Sequence, residues 1–205
     1  MSTLRFAQVS ILWLAALVPP MAAQAQSTAR PDLKIGDSWT VGISVNSGFG
    51  ASTRREEVRV VREAGESGYQ IEATPKGDGQ AQTFSLSRDL NFISPTGAGG
   101  GPQEFKWLQW PLEPGRSYQF ETMAGNSVAT WKGKVSGWEE IEVPAGKFKA
   151  LHVEFDRSGP FRYGATESVW FAPEAKAVVK RIQTRPGAER SRDITTTELL
   201  SYKLN

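Results

Sequence analysis

The sequence predicts an all-β protein, in which an antiparallel meander of about ten strands curls into a half-barrel, a barrel or a flattened sandwich. Three observations support this fold class. Apolar side chains recur at every second position along most of the chain, as half-buried strands require. Turn-forming Gly, Pro and Asn residues separate these runs. No window after residue 30 has the spacing of an amphipathic helix, so we expect no helix longer than about two turns there.

The alternating runs locate the strands in chain order. We place them at 39–45, 58–60, 69–73, 84–86, 118–120 and 151–155, with a less regular one at 200–204. Turn sequences lie between strand-like runs at 66–68, 76–79, 124–126, 144–146 and 186–188. Each of these turns therefore predicts a β-hairpin.

The C-terminal third supplies the residues that we expect to be mostly in the core. They are Val143, Phe148, Leu151, Val153, Phe155, Val169, Phe171 and Tyr202. Phe148 and Leu151 lie an odd number of positions apart, so a regular strand would point them to opposite faces. We expect a bulge or a strand end near 144–146 to bring both into the core.

The first 25 residues have the layout of a secretory signal peptide. Arg5 precedes an uncharged apolar run at 11–18, two prolines end that run, and a small-residue cleavage motif ends at Ala25. The apolar run is shorter than the roughly 20 residues that a membrane-spanning helix needs. We therefore expect cleavage after Ala25 and a soluble periplasmic or secreted protein without a transmembrane segment.

Removal of the signal peptide at 1–25 leaves a chain long enough for one domain with a sizeable core. We divide that chain into a flexible leader at 26–34 and a single β domain at 35–205. A glycine-rich loop at 97–101 separates two halves of the meander. It lacks the Lys-Ser/Thr pair of a phosphate-binding loop, so we predict a flexible loop.

Composition argues against several classes of function. The chain has 24 Lys and Arg against 22 Asp and Glu, and this near-neutral balance gives no general attraction to nucleic acid or to anionic membranes. It has no cysteine, so we expect no disulfide, no thiol catalysis and no lipid-modified cysteine. His152 is its single histidine, which leaves little for imidazole or zinc chemistry. We therefore predict a protein without enzymatic activity, cofactor or metal.

An acidic cluster and the histidine are the residues that could still support hydrolysis. Glu139, Glu140 and Glu142 could divide acid and base roles, but their spacing is also that of a solvated strand face. His152 could be a general base that a carboxylate such as Glu154 orients. Its apolar neighbours in the alternation favour an exposed or rim histidine instead.

Basic residues gather on the last predicted hairpin. They are Lys180, Arg181, Arg185, Arg190 and Arg192. They could contact an anionic surface such as lipid headgroups, and they would equally suit a solvated sheet edge that discourages aggregation.

Two tryptophans beside the glycine-rich loop are the candidate ligand-binding residues. Trp107 and Trp110 lie three apart, and the prolines at 111 and 114 limit strand pairing there. Indole rings near a flexible loop could line the mouth of a curled sheet and contact an apolar or amphipathic ligand. The alternative is that both rings fill the open end of the sheet as core.

The C-terminal third also contains four short motifs. They are Val143-Pro144-Ala145-Gly146-Lys147-Phe148, Trp170-Phe171-Ala172-Pro173, Val178-Val179-Lys180 and Glu198-Leu199-Leu200-Ser201-Tyr202. Their order resembles a broad group of exported bacterial β-rich proteins of unknown function, over residues 138–203, although Glu174 stands where the group usually has glycine. The resemblance implies an exported β fold and assigns no catalytic residue. Some members of the group are similar to periplasmic lipoprotein-carrier half-barrels, which implies a hydrophobic cup.

Three functions remain open at this point. The first is a binding module whose curled sheet holds an apolar or amphipathic ligand. The second is a structural or envelope-assembly protein that acts through surface contacts, for example by strand addition. The third is a hydrolase that uses the acidic cluster and His152. An unfilled apolar cavity would favour the first, a filled core with an exposed edge strand the second, and convergent carboxylates in a cleft the third.

Overall fold

A computed structural model of the protein describes residues 28–95, 101–124, 127–159, 165–186 and 191–205. These residues form twelve antiparallel strands and one three-residue 3₁₀ helix, Pro173–Ala175. The predicted all-β antiparallel fold is confirmed, and within these ranges no helix is long and apolar enough to cross a membrane. The expected signal peptide at 1–25 and its cleavage site after Ala25 lie outside the described residues.

The strands match the runs that alternation located, with additions. In chain order they are β1 Ser38–Asn46, β2 Ser52–Gly65, β3 Gly68–Pro75, β4 Gln82–Leu86, β5 Phe92–Ser94, β6 Gln103–Glu104, β7 Ser117–Ala124, β8 Ser127–Val143, β9 Gly146–Ser158, β10 Thr166–Ala172, β11 Ala177–Pro186 and β12 Arg192–Lys203. The seven predicted runs lie in β1, β2, β3, β4, β7, β9 and β12. β5 and β6 have three and two residues, which is too short to show an alternation.

The strands form one sheet that nearly closes into a barrel. Its order is β6-β5-β4-β3-β2-β1-β12-β11-β10-β9-β8-β7, so each strand pairs with the next along the chain except where β6 meets β7. β12 returns to pair with β1 along the whole of β1. Between β6 and β7, the backbone N–H of Met123 donates a hydrogen bond to Oε1 of Gln103 at 3.1 Å. The meander is therefore a ring with an opening between β6 and β7.

Tight turns connect the strands where the sequence predicts them. The turns at 66–68, 76–79 and 144–146 join β2 to β3, β3 to β4 and β8 to β9. Gly68 is required by its surroundings, because its φ is +138° and a Cβ there would lie 2.1 Å from the carbonyl oxygen of Leu86. The predicted turns at 124–126 and 186–188 and the loop at 97–101 include residues outside the described ranges.

The structure confirms all but one of the residues predicted for the core. Val143, Phe148, Leu151, Val153, Phe155, Val169 and Phe171 are buried. The prediction for Tyr202 is wrong, because that residue is 39% exposed. Tyr202 pairs with Trp39 on β1 but lies past Glu198, where the pairing of β12 with β11 ends, so it has a neighbouring strand on one side only.

Phe148 and Leu151 are both buried, and of the two alternatives expected near 144–146 the structure has the strand end, because β8 ends at Val143 and β9 begins at Gly146, and not the bulge. The register shift between β8 and β9 lies elsewhere, on β8 between Val135 and Gly137. The first half of β9 buries the face of Phe148 and Ala150, and the second half buries the opposite face, which carries Leu151, Val153 and Phe155. Each of these two faces packs into a different hydrophobic cluster. Because the buried face changes along the strand, residues of opposite parity are both buried without a bulge in β9.

The described part of the expected leader, residues 28–34, packs against the sheet. Thr28 and Leu112 exchange two backbone hydrogen bonds, at 3.0 and 3.2 Å. Leu33 is buried, and its N–H donates to the hydroxyl of Tyr69 at 3.3 Å. The polar composition of residues 26–34 predicts a loose leader. The burial of Leu33 and the backbone hydrogen bonds between Thr28 and Leu112 hold the described part of that segment against the sheet.

A buried carboxylate connects the start of β1 to the C-terminal residues. Oδ1 of Asp37 accepts a hydrogen bond from the backbone N–H of Asn205 at 2.7 Å, and Oδ2 accepts one from the N–H of Lys34 at 2.9 Å. Nζ of Lys176, which follows the 3₁₀ helix, lies 3.5 Å from Oδ2. These contacts fix three separate parts of the chain at one end of the sheet.

Candidate functional site: an interior cavity

The concave side of the sheet forms a cavity of about 960 Å³ that is partly open to solvent. Strands from both halves of the chain line it with apolar side chains. These include Trp39, Val41, Ile71, Phe84, Leu86, Val169, Phe171 and Leu199. Small-molecule sites commonly have volumes of about 300–1,000 Å³, so this cavity is large enough for a ligand. The core therefore does not fill the interior of the sheet.

The segment 105–112, between β6 and β7, forms part of the cavity wall. The carboxamide of Asn91, which is buried, donates to the carbonyl oxygen of Leu108 at 2.9 Å and accepts from its N–H at 2.8 Å. Leu108 is itself buried and lines the cavity. Side-chain hydrogen bonds thus hold this irregular segment in place where strand pairing does not.

Trp107, one of the two predicted ligand-binding residues, lies on the cavity wall. Its ring stacks on Phe105 with centroids 5.2 Å apart, and the guanidinium of Arg181 lies 4.2 Å from its centroid. The hydroxyl of Tyr118 donates to the carbonyl oxygen of Trp107 at 2.5 Å, and burial raises the pKa of that hydroxyl. The role of Trp107 in binding stays a prediction.

Trp110, the other predicted ligand-binding residue, is not among the residues that line the cavity. Its ring meets Phe171 edge-on, with centroids 5.1 Å apart and an interplanar angle of 82°. Its Nε1 donates to the carbonyl oxygen of Asp89 at 3.0 Å. Phe171 does line the cavity, so Trp110 contacts the wall without facing the interior. The structure thus separates two indoles that the sequence places together.

A buried ion pair lies on the cavity wall. Oε1 of Glu167, a residue that is 1% exposed, lies 2.5 Å from Nε of Arg181, although the contact lacks the angle of a hydrogen bond. Oε2 of Glu167 accepts a hydrogen bond from Nε2 of Gln183 at 3.1 Å. All three side chains line the cavity from the paired strands β10 and β11. One carboxylate is thus neutralised inside a largely apolar wall.

Cationic side chains outnumber carboxylates around the cavity. The six cationic residues that line it are Arg55, Arg59, Arg157, Lys176, Arg181 and Arg185, against the two acidic residues Glu57 and Glu167. Burial, and then the neighbouring charge of Arg185, lowers the pKa of Arg157. The interior is therefore apolar over much of its surface and electropositive where these strands face it.

The interpretation of the last hairpin as a solvated sheet edge is wrong. β11 lies between β10 and β12, in the middle of the sheet. Arg181 and Arg185 line the cavity, whereas the adjacent Lys180 pairs with Glu198 at 3.1 Å. Arg181 and Arg185 are four positions apart, so a regular strand points both side chains to the same face. This spacing could have predicted that both line the cavity. Arg190 lies outside the described residues.

A second cluster, which does not line the cavity, brings His152 together with Glu139. Nδ1 of His152 lies 2.8 Å from Oε1 of Glu139, and Nε1 of Trp170 donates to Oε2 at 2.8 Å. The rings of His152 and Trp170 stack with centroids 4.3 Å apart. His152 is only 8% exposed, so the expectation of an exposed or rim histidine is wrong, because the indole covers it. The hydrogen bond from Trp170, with a further contribution from His152, lowers the pKa of Glu139.

The rest of the acidic cluster does not join this site. Glu140 and Glu142 are exposed, and Oε2 of Glu142 lies 3.9 Å from Nζ of Lys147. Neighbours along a strand alternate between its faces, so Glu140 points away from Glu139. Among the residues that the structure describes, no three His, Cys, Asp or Glu side chains come together as a metal site.

Fold and site together define a nearly closed antiparallel sheet with an apolar interior that arginines partly line. A family model described as a protein of unknown function, DUF3108, matches residues 102–189, which is less than half of the chain. This stretch overlaps residues 138–203, which carry the resemblance to exported proteins of unknown function. A comparison with curated proteins finds no match.

Three solved structures are similar to this chain. A protein from Bacteroides fragilis that is described as exported and as having a YmcC-like fold is 14% identical, with a TM-score of 0.45 over 85% of this chain and 99% of that chain. A protein from Parabacteroides distasonis that is described as a lipoprotein is 13% identical, with a TM-score of 0.43 over 87% of this chain and 100% of that chain. The protein YmcC from Escherichia coli, also described as a lipoprotein, is 8% identical, with a TM-score of 0.38 over 80% of this chain and 84% of that chain. None of the three descriptions names a ligand or an activity.

Proposed function

We propose that this protein is a non-enzymatic binding module that holds an apolar or amphipathic ligand inside its sheet. The observation that carries the proposal is the cavity of about 960 Å³, which the two hydrophobic clusters leave unfilled. A bound apolar chain would gain about 25 cal/mol for each Å² that the walls remove from water. An unfilled interior of this kind distinguishes a binding module from a purely structural core.

The signal-peptide layout of the first 25 residues supports a place of action outside the cytoplasm, in the periplasm or after secretion. An envelope component with a long apolar chain is the kind of ligand that such a cavity would shield from water. The ligand class therefore fits both the cavity and the proposed compartment.

Surface interaction is a second candidate function, because the sheet has an opening. β7 is eight residues long and ends the sheet on one side, whereas β6 ends it on the other. The outward backbone groups of an edge strand can pair with a strand from another protein. This function would not require the cavity, so a binding experiment on the cavity separates the two candidates.

Fluorescence titration of the purified protein with the neutral probe N-phenylnaphthylamine tests the proposal. The probe should bind, and Trp107→Ala should weaken its binding by about tenfold, because the indole lies on the cavity wall. Trp110→Ala is the matched control, which should lower the free energy of unfolding while leaving the affinity for the probe unchanged.

A third variant tests the cavity by filling it. Ala73 lines the cavity, so Ala73→Trp places an indole where the probe would lie and should exclude the probe from a folded protein. Unchanged probe binding in both Trp107→Ala and Ala73→Trp would overturn the proposal. Trp107 and Trp110 would then be core residues only.

A further inference from the structure

We propose that the bound ligand is an anionic amphiphile, an apolar chain that ends in a carboxylate or a phosphate group, and that Arg55 and Arg185 bind its anionic end beside Arg181, which already pairs with Glu167. The inference rests on the proposed function, because it names the ligand class for the same cavity. It is supported by the placement of the arginines, by the charge balance around them and by the apolar wall beside them.

Strand register places two of these arginines in one row across the sheet. Arg181 on β11 pairs with Thr197 on β12, Thr197 pairs with Ile43 on β1, and Ile43 pairs with Arg55 on β2. Paired residues share a face, and both Arg55 and Arg181 line the cavity. Arg185 lies four positions after Arg181 and lines the cavity as well. The cavity wall therefore receives arginines from both β2 and β11, which lie three strand spacings of about 4.8 Å apart in the sheet.

The cavity carries more positive charge than its own carboxylates balance. Its two acidic residues, Glu57 and Glu167, each lie within 2.6 Å of an arginine nitrogen already. In the described part of the chain, no carboxylate oxygen lies within 4.0 Å of Arg55 or Arg185, and Asp193, which pairs with Arg185 in the strand register, accepts a hydrogen bond from the backbone of Gly48 instead. A ligand with a negative end would complement them, since guanidinium groups form strong, often bidentate hydrogen bonds with carboxylates and phosphates.

Like charges also lie close together at the part of the cavity that Arg185 lines. Arg157 lines the cavity too, and its pKa is lowered first by burial and then by the charge of Arg185. An anion bound beside both groups would offset the repulsion between their charges.

The charged groups adjoin an apolar surface. The guanidinium of Arg181 lies 4.2 Å from the ring centroid of Trp107, and both residues line the cavity. A free phosphate ion would use only the arginines, and a hydrocarbon would use only the apolar wall. A molecule with a charged end and an apolar chain would contact both, and this match favours an amphiphile.

Competition against bound N-phenylnaphthylamine tests the inference with three ligands of equal chain length: dodecanoate, dodecyl phosphate and dodecanol. At least one anionic ligand should displace the probe at about tenfold lower concentration than dodecanol does. The ranking of the two anions identifies a carboxylate or a phosphate as the preferred end group. Arg55→Gln and Arg185→Gln should reduce the preference for anions while leaving the affinity for dodecanol unchanged.

Lys180→Gln is the matched control, because Lys180 precedes Arg181 but pairs with Glu198 and does not line the cavity. It should retain the preference for anions. Arg55 and Arg185 are exposed, so thermal unfolding of their variants should match that of the wild type. Salt offers a test without any variant, since a higher salt concentration should weaken the anions and leave dodecanol unaffected.

Equal displacement by dodecanol and by both anions would overturn the anionic inference and leave the proposed function intact. An undiminished preference for anions in both arginine variants would overturn the assignment of the arginines. The proposed function fails separately, if the neutral probe does not bind the wild-type protein at all.

Discussion

The carboxamide of Asn91 pairs with both backbone groups of Leu108, as a neighbouring strand would. Nδ2 of Asn91 also donates to Oε1 of Glu104, the last residue of β6, at 3.1 Å. One buried side chain thus fixes the segment 105–112 from two positions. The same segment carries Trp107 to the cavity wall.

Asn91→Ala should lower the free energy of unfolding by about 2–4 kcal/mol, because it leaves a buried N–H and a buried carbonyl of Leu108 without partners. Urea denaturation followed by tryptophan fluorescence measures the loss. Ser52→Ala removes an exposed hydrogen bond to Asn46 and is the control, with an expected change within about 0.5 kcal/mol. Equal stability of the two variants would show that packing alone holds the segment.

Arg181→Met should destabilise the fold by about 3 kcal/mol, because it leaves the carboxylate of Glu167 buried without its counter-charge. The double variant Glu167→Gln/Arg181→Met should recover much of the lost stability, since burying a neutral amide costs less free energy than burying an unpaired carboxylate. Chemical denaturation of both proteins and of Glu167→Gln completes the cycle. A double variant less stable than Arg181→Met alone would contradict the ion-pair interpretation.

Stability should depend on pH through Glu139. Its pKa is lowered in the folded protein from an ordinary value of 4.5, chiefly by the hydrogen bond from Trp170, so the unfolded chain takes up a proton first as pH falls. The stabilisation is therefore complete above the ordinary pKa and is lost as pH falls through the lowered pKa.

Denaturation of the wild type and of Glu139→Gln at neutral pH and near pH 3 checks this dependence. The wild type should have the larger free energy of unfolding at neutral pH, and its difference from Glu139→Gln should be smaller near pH 3. Glu140→Gln, at the next and exposed position of β8, is the control. If the difference in free energy of unfolding between the wild type and Glu139→Gln were the same at neutral pH and near pH 3, the ionised carboxylate of Glu139 would make no contribution to stability.

Leu151→Ala should cost about 2–5 kcal/mol of folding free energy, because its side chain is fully buried among the residues of one hydrophobic cluster. Val128→Ala removes apolar atoms from a residue that is 45% exposed and should change stability by less than about 0.5 kcal/mol. Thermal or urea unfolding measures both. A loss below roughly half a kcal/mol for Leu151→Ala would contradict its place in the core.

Alternation predicts strands well where one face is buried, as Leu151, Val153 and Phe155 show. It could not predict that the buried face changes along β9, so that the opposite face is buried in the first half of the strand. Phe148 on that face belongs to a cluster that includes Leu199, about fifty positions further along the chain. Burial of a side chain by residues that are far away in the sequence leaves no periodic pattern in the local sequence.

The site was predictable only in part, for a related reason. Trp107 stands out because its indole lies beside a glycine-rich loop. Arg55 and Glu167 do not stand out, because a charged residue on a strand normally faces solvent. Their inward position depends on the curvature of the sheet and on the pairing of β1 with β12, neither of which the local sequence reveals.

The position of β12 between β1 and β11 also bears on how the chain folds as it is synthesised. A chain that has been synthesised only as far as β11 lacks the strand that both neighbours share, and its sheet cannot close. The carboxylate of Asp37 likewise lacks one of its hydrogen-bond donors until the backbone of Asn205 has been synthesised. Contacts between such distant parts of a chain form late. The sheet should therefore stay open until β12 has left the ribosome.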